Sequence, residues 1–160
     1  MKFAEEKMNW LYDLVTNPFV ITAISSWILA QIVKTVIHLL VNKKLDIKRL
    51  MGDGGMPSGH SATVMSLTVL TGIVYGCGSW NFAISAILTL IVGHDAMGVR
   101  REVGKHSSVL NEIISTFEAI GKKEPFDIKL NELAGHTPLQ VWMGGLLGAA
   151  NAVVMYFVLF

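Results

Sequence analysis

Residue types suited to phosphoryl chemistry concentrate in three short stretches. They are Ser58 and His60 in GGMPSGHSA, Arg100 and Arg101 in DAMGVRREVGKH, and His136 in ELAGHTPLQV. In the first stretch the glycines permit tight turns, and Pro57 prevents a helix from running through. Ser58 is thus placed to cap a helix whose first free N–H groups belong to Gly59, His60 and Ser61. Such a helix start is an anion site, and a phosphate fits there. The plainer alternative is a capped helix with an interfacial histidine. Guanidinium groups grip phosphate oxygens in two-pronged fashion, so Arg100 or Arg101 would complete a clamp. As a basic pair closing an apolar run, they serve equally as topology determinants. In the third stretch Thr137, Pro138 and Gln140 form a capping-box pattern, which accounts for all three without chemistry. His136 stays unexplained by it, and Gln140, one turn later, is placed to accept its ring N–H and set the tautomer. Two histidines, one attacking and one protonating, suit phosphoryl transfer.

The elements that must position these residues are membrane helices. Of 160 residues 52% are hydrophobic, and the mean hydropathy is +0.51, well above that of soluble domains. A formal net charge of +1 offers no electrostatic case for nucleic acid. Cys77 is the single cysteine, so no internal disulfide framework exists. The opening MKFAEEKMNWLYD does not read as a cleavable signal peptide. A spanning helix needs roughly 20 apolar residues, and four runs qualify, at about 19–41, 60–76, 80–99 and 138–160. The second is short and carries hydroxyls. The chain is thus expected to be all-α, one membrane-embedded domain over 1–160 built as a bundle of about four transmembrane helices.

Charge sorts the loops. Lys43, Lys44, Lys48 and Arg49 lie between the first two runs; Arg100, Arg101, Lys105, Lys122, Lys123 and Lys129 lie between the last two. Both loops are expected to face the cytoplasm, with both chain ends outside. All three polar stretches then fall on the cytoplasmic side, where they can converge. Within the second loop, residues 107–120 put Val109, Leu110, Ile113, Ile114, Phe117 and Ile120 on one stripe, which predicts an amphipathic helix at the membrane surface. Gln31, Lys34 and His38 share a face of the first run. Lys34 either snorkels to the headgroups or points into a polar cavity shared with the motifs. Gly144 and Gly148 have the G-x-x-x-G spacing that lets helices approach closely.

At these motifs, from about Gln31 onward, the sequence resembles a divergent membrane branch of the type 2 phosphatidic acid phosphatase superfamily, related to vanadium-dependent haloperoxidases. The resemblance implies chemistry with no metal and no cofactor. One histidine attacks phosphorus to give a phosphohistidine, and the P-S-G-H histidine, here His60, protonates the leaving oxygen. Ser58, Gly59, Arg100, Arg101 and Lys34 would bind the phosphate, with Lys34 or Lys48 and Arg49 standing in for an absent first motif. The nucleophile has two placements. Arg100 to His106 keeps the superfamily's spacing, but Leu110 stands where an aspartate should follow. The context of His136 fits better along its helix, with Gln140 in place of the aspartate as the orienting residue. An amide stabilises an imidazolium less than a carboxylate does. The implied function is metal-independent hydrolysis of a lipid phosphate or diphosphate at the cytoplasmic face of the cell membrane. The alternative is a non-enzymatic protein that binds or transports phospholipid headgroups in the same pocket.

Overall fold

The structure is a computed structural model that describes residues 2–43, 55–119, 130 and 135–160. The helices among them are α1 (Lys2–Val15), α2 (Pro18–Asn42), α3 (Gly59–Tyr75), α4 (Trp80–Met97), α5 (Val99–Ala119) and α6 (Pro138–Leu159). The described residues include no strand, so the expected all-α membrane bundle is what forms. The opening residues, ahead of the four expected spans, form α1. Each apolar helix starts at a polar cap that takes up otherwise orphaned N–H groups. Asn17 Oδ1 accepts from Phe19 and Val20 N–H at 2.9 and 3.3 Å, and Ser79 Oγ accepts from Phe82 N–H at 3.2 Å. At Gly98 α4 ends, and the chain turns into α5.

Among the described residues three stretches are long and apolar enough to cross a membrane: Pro18–Asn42, Trp80–Phe117, which runs from α4 into α5, and Pro138–Leu159. The fourth expected span, α3, has 17 residues, about 25 Å at 1.5 Å per residue against a hydrocarbon core of roughly 30 Å. Its setting explains how so short a helix is accommodated. α3 packs on α2, α4 and α6 and is the centre of the bundle, so its hydroxyls meet protein rather than lipid. Thr68 Oγ1 and Thr89 Oγ1 lie 2.7 Å apart, Thr71 Oγ1 and Ser85 Oγ 2.8 Å apart, and Thr89 Oγ1 donates to Val64 O at 3.0 Å. Asn151 Nδ2 of α6 donates to Ser25 and Ser26 Oγ of α2 at 2.9 and 2.8 Å. Hydroxyl and amide contacts of this kind join helices where lipid removes any hydrophobic advantage of association.

The partner of the G-x-x-x-G pair is α3. A Cβ on Gly144 would overlap the Ser58 carbonyl oxygen, and one on Gly148 the Ala62 carbonyl oxygen. Glycine there sets the distance between α6 and the start of α3. The amphipathic helix is longer than expected: α5 begins at Val99, while Ile120 of the expected stripe lies outside the described residues. Among the described helices α5 packs only on α4, and its Val109, Leu110, Ile113 and Phe117 are exposed. A helix with an uncovered apolar stripe is suited to lie along a bilayer surface.

Candidate functional site

Four chain segments meet here: the middle of α2 around Trp27, Gln31 and Lys34, the last turn of α4, and the first turns of α3 and α6. Backbone hydrogen bonds make the joins. Ser58 N–H donates to Gln140 O, and His136 N–H donates to Ala96 O, both at 3.0 Å. Thus the P-S-G-H loop, the end of the third apolar run and the H-T-P-L-Q stretch are brought together by bonds that no single stretch encodes.

Ser58 is completely buried and caps α3 as expected, its Oγ accepting from Ser61 N–H at 3.3 Å and Ser61 Oγ at 3.0 Å. The N–H groups of Gly59 and His60 carry no hydrogen bond among the described residues. These two donors, aligned with the positive end of the helix dipole, are what an anion requires. Gly59 sits against α2: a Cβ there would lie 3.2 Å from Trp27 Cδ1 and 3.9 Å from Gln31 Nε2. The His60 ring lines a cavity of about 320 Å³ between α2 and α4 with Ile24, Trp27, Thr63 and Val92.

His136 is buried, 4% exposed. Its Nδ1 lies 3.2 Å from Gln140 Oε1, which also accepts from Thr137 N–H at 3.0 Å. Thr137 Oγ1 accepts in turn from Gln140 N–H at 3.4 Å, completing the capping box. Since a backbone N–H can only donate, the atom it meets is the amide oxygen, and the ring nitrogen sharing that oxygen must carry a proton. Nδ1 therefore carries a proton. Thr137→Ala should remove one half of the box and lower stability by about 1 kcal/mol, read as a lower melting temperature in detergent.

Lys34 is 3% exposed, so it does not snorkel. Gly55, at φ 101°, lies over its stem, a Cβ there being 3.4 Å from Lys34 Cγ and Cδ. One turn earlier Gln31 is 7% exposed, and its Oε1 is buried with no partner among the described residues. A buried amide oxygen left unpaired costs about 1–3 kcal/mol. Spacing puts Gln31 on the same face as Lys34, but only its burial marks it out. Arg101 is exposed in the first turn of α5; Arg100 occupies that turn too, but its side chain, like Lys48 and Arg49, lies outside the described residues. His106 is exposed on α5, away from the junction of α3 and α6.

Two further features had no assigned role. Asn111 clamps the returning chain, its Nδ2 donating to Leu130 O at 2.9 Å and its Oδ1 accepting from Leu130 N–H at 3.0 Å. A largely apolar groove of about 820 Å³ runs between α3, α4 and α6, with Ser61, His94 and Asp95 among its lining residues.

Residues 15–151 match the Divergent PAP2 family. The chain is 36% identical over 154 residues to the uncharacterized membrane protein YuiD of Bacillus subtilis (strain 168), a match covering 91% of this chain and 98% of that one. No solved structure matches.

Proposed function

The chain belongs to the Divergent PAP2 family, a phosphatase-related group of membrane proteins, and from that premise we propose that it hydrolyses a lipid phosphate or diphosphate through a phosphohistidine. Phosphatidate, phosphatidylglycerophosphate and a polyprenyl diphosphate are the candidate substrates. The observation that carries the reading is the shared Gln140 Oε1, which fixes a proton on His136 Nδ1 and so leaves Nε2 as the ring nitrogen to act as nucleophile in the neutral form.

In this mechanism His136 Nε2 attacks phosphorus and the bond from phosphorus to the lipid oxygen breaks. That oxygen takes a proton from the His60 imidazolium. Water then attacks phosphorus, the P–N bond breaks, and the water proton passes to His60. The N–H groups of Gly59 and His60, together with Lys34, Arg100 and Arg101, hold the phosphoryl oxygens as charge develops. The groove between α3, α4 and α6 suits the lipid chain, being mostly apolar and reaching Ser61 beside the α3 start. The motif end faces the cytoplasm of the cell membrane, a reading supported by the basic loops. The test is phosphate release by the detergent-purified protein from a panel of lipid phosphates and diphosphates with chelator present. Release that survives chelation supports the reading.

Gln140→Glu provides a sharper probe. A carboxylate keeps both accepted hydrogen bonds and adds a charge beside the imidazole that becomes positive when Nε2 is phosphorylated. Turnover should rise; a fall with unchanged melting temperature would argue against His136 as nucleophile.

One observation favours a second reading, binding or transport of a phospholipid headgroup without hydrolysis. The His60 ring sits in an apolar cleft and makes no hydrogen bond among the described residues, with His136 or any other group. Saturable lipid-phosphate binding without release of phosphate from any lipid would select it.

A further inference from the structure

We infer that Asn111 is a positioning residue for His136, tying the stretch that carries this histidine to α5 and, through α5, to the bilayer. Its bearing on catalysis rests on the phosphatase reading above. Both ends of the Asn111 carboxamide hold the backbone of one residue: Nδ2 donates to Leu130 O at 2.9 Å, and Oδ1 accepts from Leu130 N–H at 3.0 Å. A planar amide that donates and accepts at once fixes the direction of the bound chain as well as its place, as a rung of a sheet does. Six residues further on, His136 N–H donates to Ala96 O at 3.0 Å. The approach to His136 is thus anchored at one end on α5 and at the other on the last turn of α4, with at most about 22 Å of chain between the anchors.

The faces of α5 suit it to carry that anchor. Gly104, Ser107 and Asn111 follow i, i+3, i+7 spacing and share one face, on which Gly104 and Ser107 are buried and Asn111 is half-buried. The apolar stripe lies on another side, where Val109, Leu110, Ile113 and Phe117 are 41–56% exposed. A helix of a water-soluble protein buries its apolar stripe and shows its small and polar residues to solvent. α5 does the reverse. The occupant of the stripe is therefore the bilayer, which α5 meets directly as it leaves α4. Since α5 packs on no described helix but α4, the bilayer is what holds the arm, and Asn111 passes its position on to the histidine stretch.

The test is amide-resolved hydrogen exchange of the full-length protein in lipid nanodiscs holding one copy each. In wild type the His136 N–H should exchange slowly, because Ala96 O holds it. Asn111→Ala should speed exchange roughly tenfold at both Leu130 and His136, the value of about one net hydrogen bond. The Ala62 N–H, bonded to Ser58 O, should be unaffected. Acceleration confined to Leu130 would make Asn111 a loop fastener and overturn the inference; equal acceleration at Ala62 would mean a general loosening and overturn it too. A second variant leaves the clamp in place. Val109→Ser combined with Ile113→Ser, both at exposed positions, should also speed exchange at His136, and unchanged exchange there overturns the link to the bilayer. So does wild-type exchange that is slow only in discs holding two copies, which would give the stripe to a second copy. Exchange needs no turnover, so a wild type that releases no phosphate removes the phosphatase reading and leaves this result standing. Where phosphate is released, Asn111→Ala should lower kcat roughly tenfold with KM nearly unchanged. The opposite split would assign Asn111 to substrate binding and overturn the positioning role.

Discussion

His136→Ala is expected to abolish any phosphate release from lipid phosphates, and His60→Ala to lower it by about 10²–10⁴-fold, the range of a lost general acid. Both variants are expected to stay inserted and folded. In His136→Ala the backbone N–H to Ala96 O is untouched, and Gln140 Oε1 keeps its bond from Thr137 N–H. His60 makes no hydrogen bond among the described residues that its loss would break. The two effects separate by step. Without the nucleophile no phosphoenzyme forms, whereas without the acid a substrate with a good leaving group, such as an aryl phosphate, should still phosphorylate His136. Normal turnover in both variants would rule the mechanism out, and a comparable loss in His106→Ala would move the nucleophile to α5.

Gly148→Ala should be among the most damaging single-methyl changes available to this chain. The added carbon would overlap the Ala62 carbonyl oxygen and crowd its carbonyl carbon and Cα, all backbone atoms of the central helix, which cannot rotate away as a side chain does. α6 would have to back off from α3, at a cost of about 3 kcal/mol, the upper end of ordinary overpacking. Gly144→Ala meets the Ser58 backbone in the same way. It should therefore cost turnover as well as stability, because the Ser58 N–H to Gln140 O bond aligns the two motifs. Gly145→Ala is the control. Its Cβ would lie 3.5 Å from Met65 Cε, ordinary contact with a flexible side chain, and should be tolerated. Melting temperatures in detergent that order Gly145→Ala above Gly144→Ala and Gly148→Ala would bear this out; three equal values would contradict it.

Much of the architecture was legible in the chain because it follows from local chemistry. Lipid demands long apolar helices with internally satisfied backbones, so the runs at 19–41, 80–99 and 138–160 could be bounded within a few residues. Caps are local too, since a side chain reaches only its own next turn. Hence Ser58 over Ser61, and Thr137 with Gln140, were readable from spacing alone. The G-x-x-x-G spacing announced a close approach without saying to what. The second run is where length and composition gave the weakest guide. Hydroxyls that look unfit for lipid are satisfied by Ser85 and Thr89 of α4, a pairing that separations of 14 and 21 residues along the chain conceal.

The sequence by itself determined that this chain lives in a membrane, where its helices start, which family it resembles and which histidines lie beside helix starts. Each of these depends on contacts within about one helical turn or on total apolar content. Only the tertiary structure decided that α3 is the central helix, that the Ser58 loop and the His136 stretch are joined through Gln140 O, and that Lys34 and Gln31 are buried beneath the same loop. It also set His136 in the junction and left His106 exposed on α5. The physical reason is that burial and convergence are properties of packed surfaces. The residues that settle them, Gly144, Gly148, Gly55 and Gly59, act by leaving out a side chain, and the space they leave takes on meaning only when another helix or loop fills it.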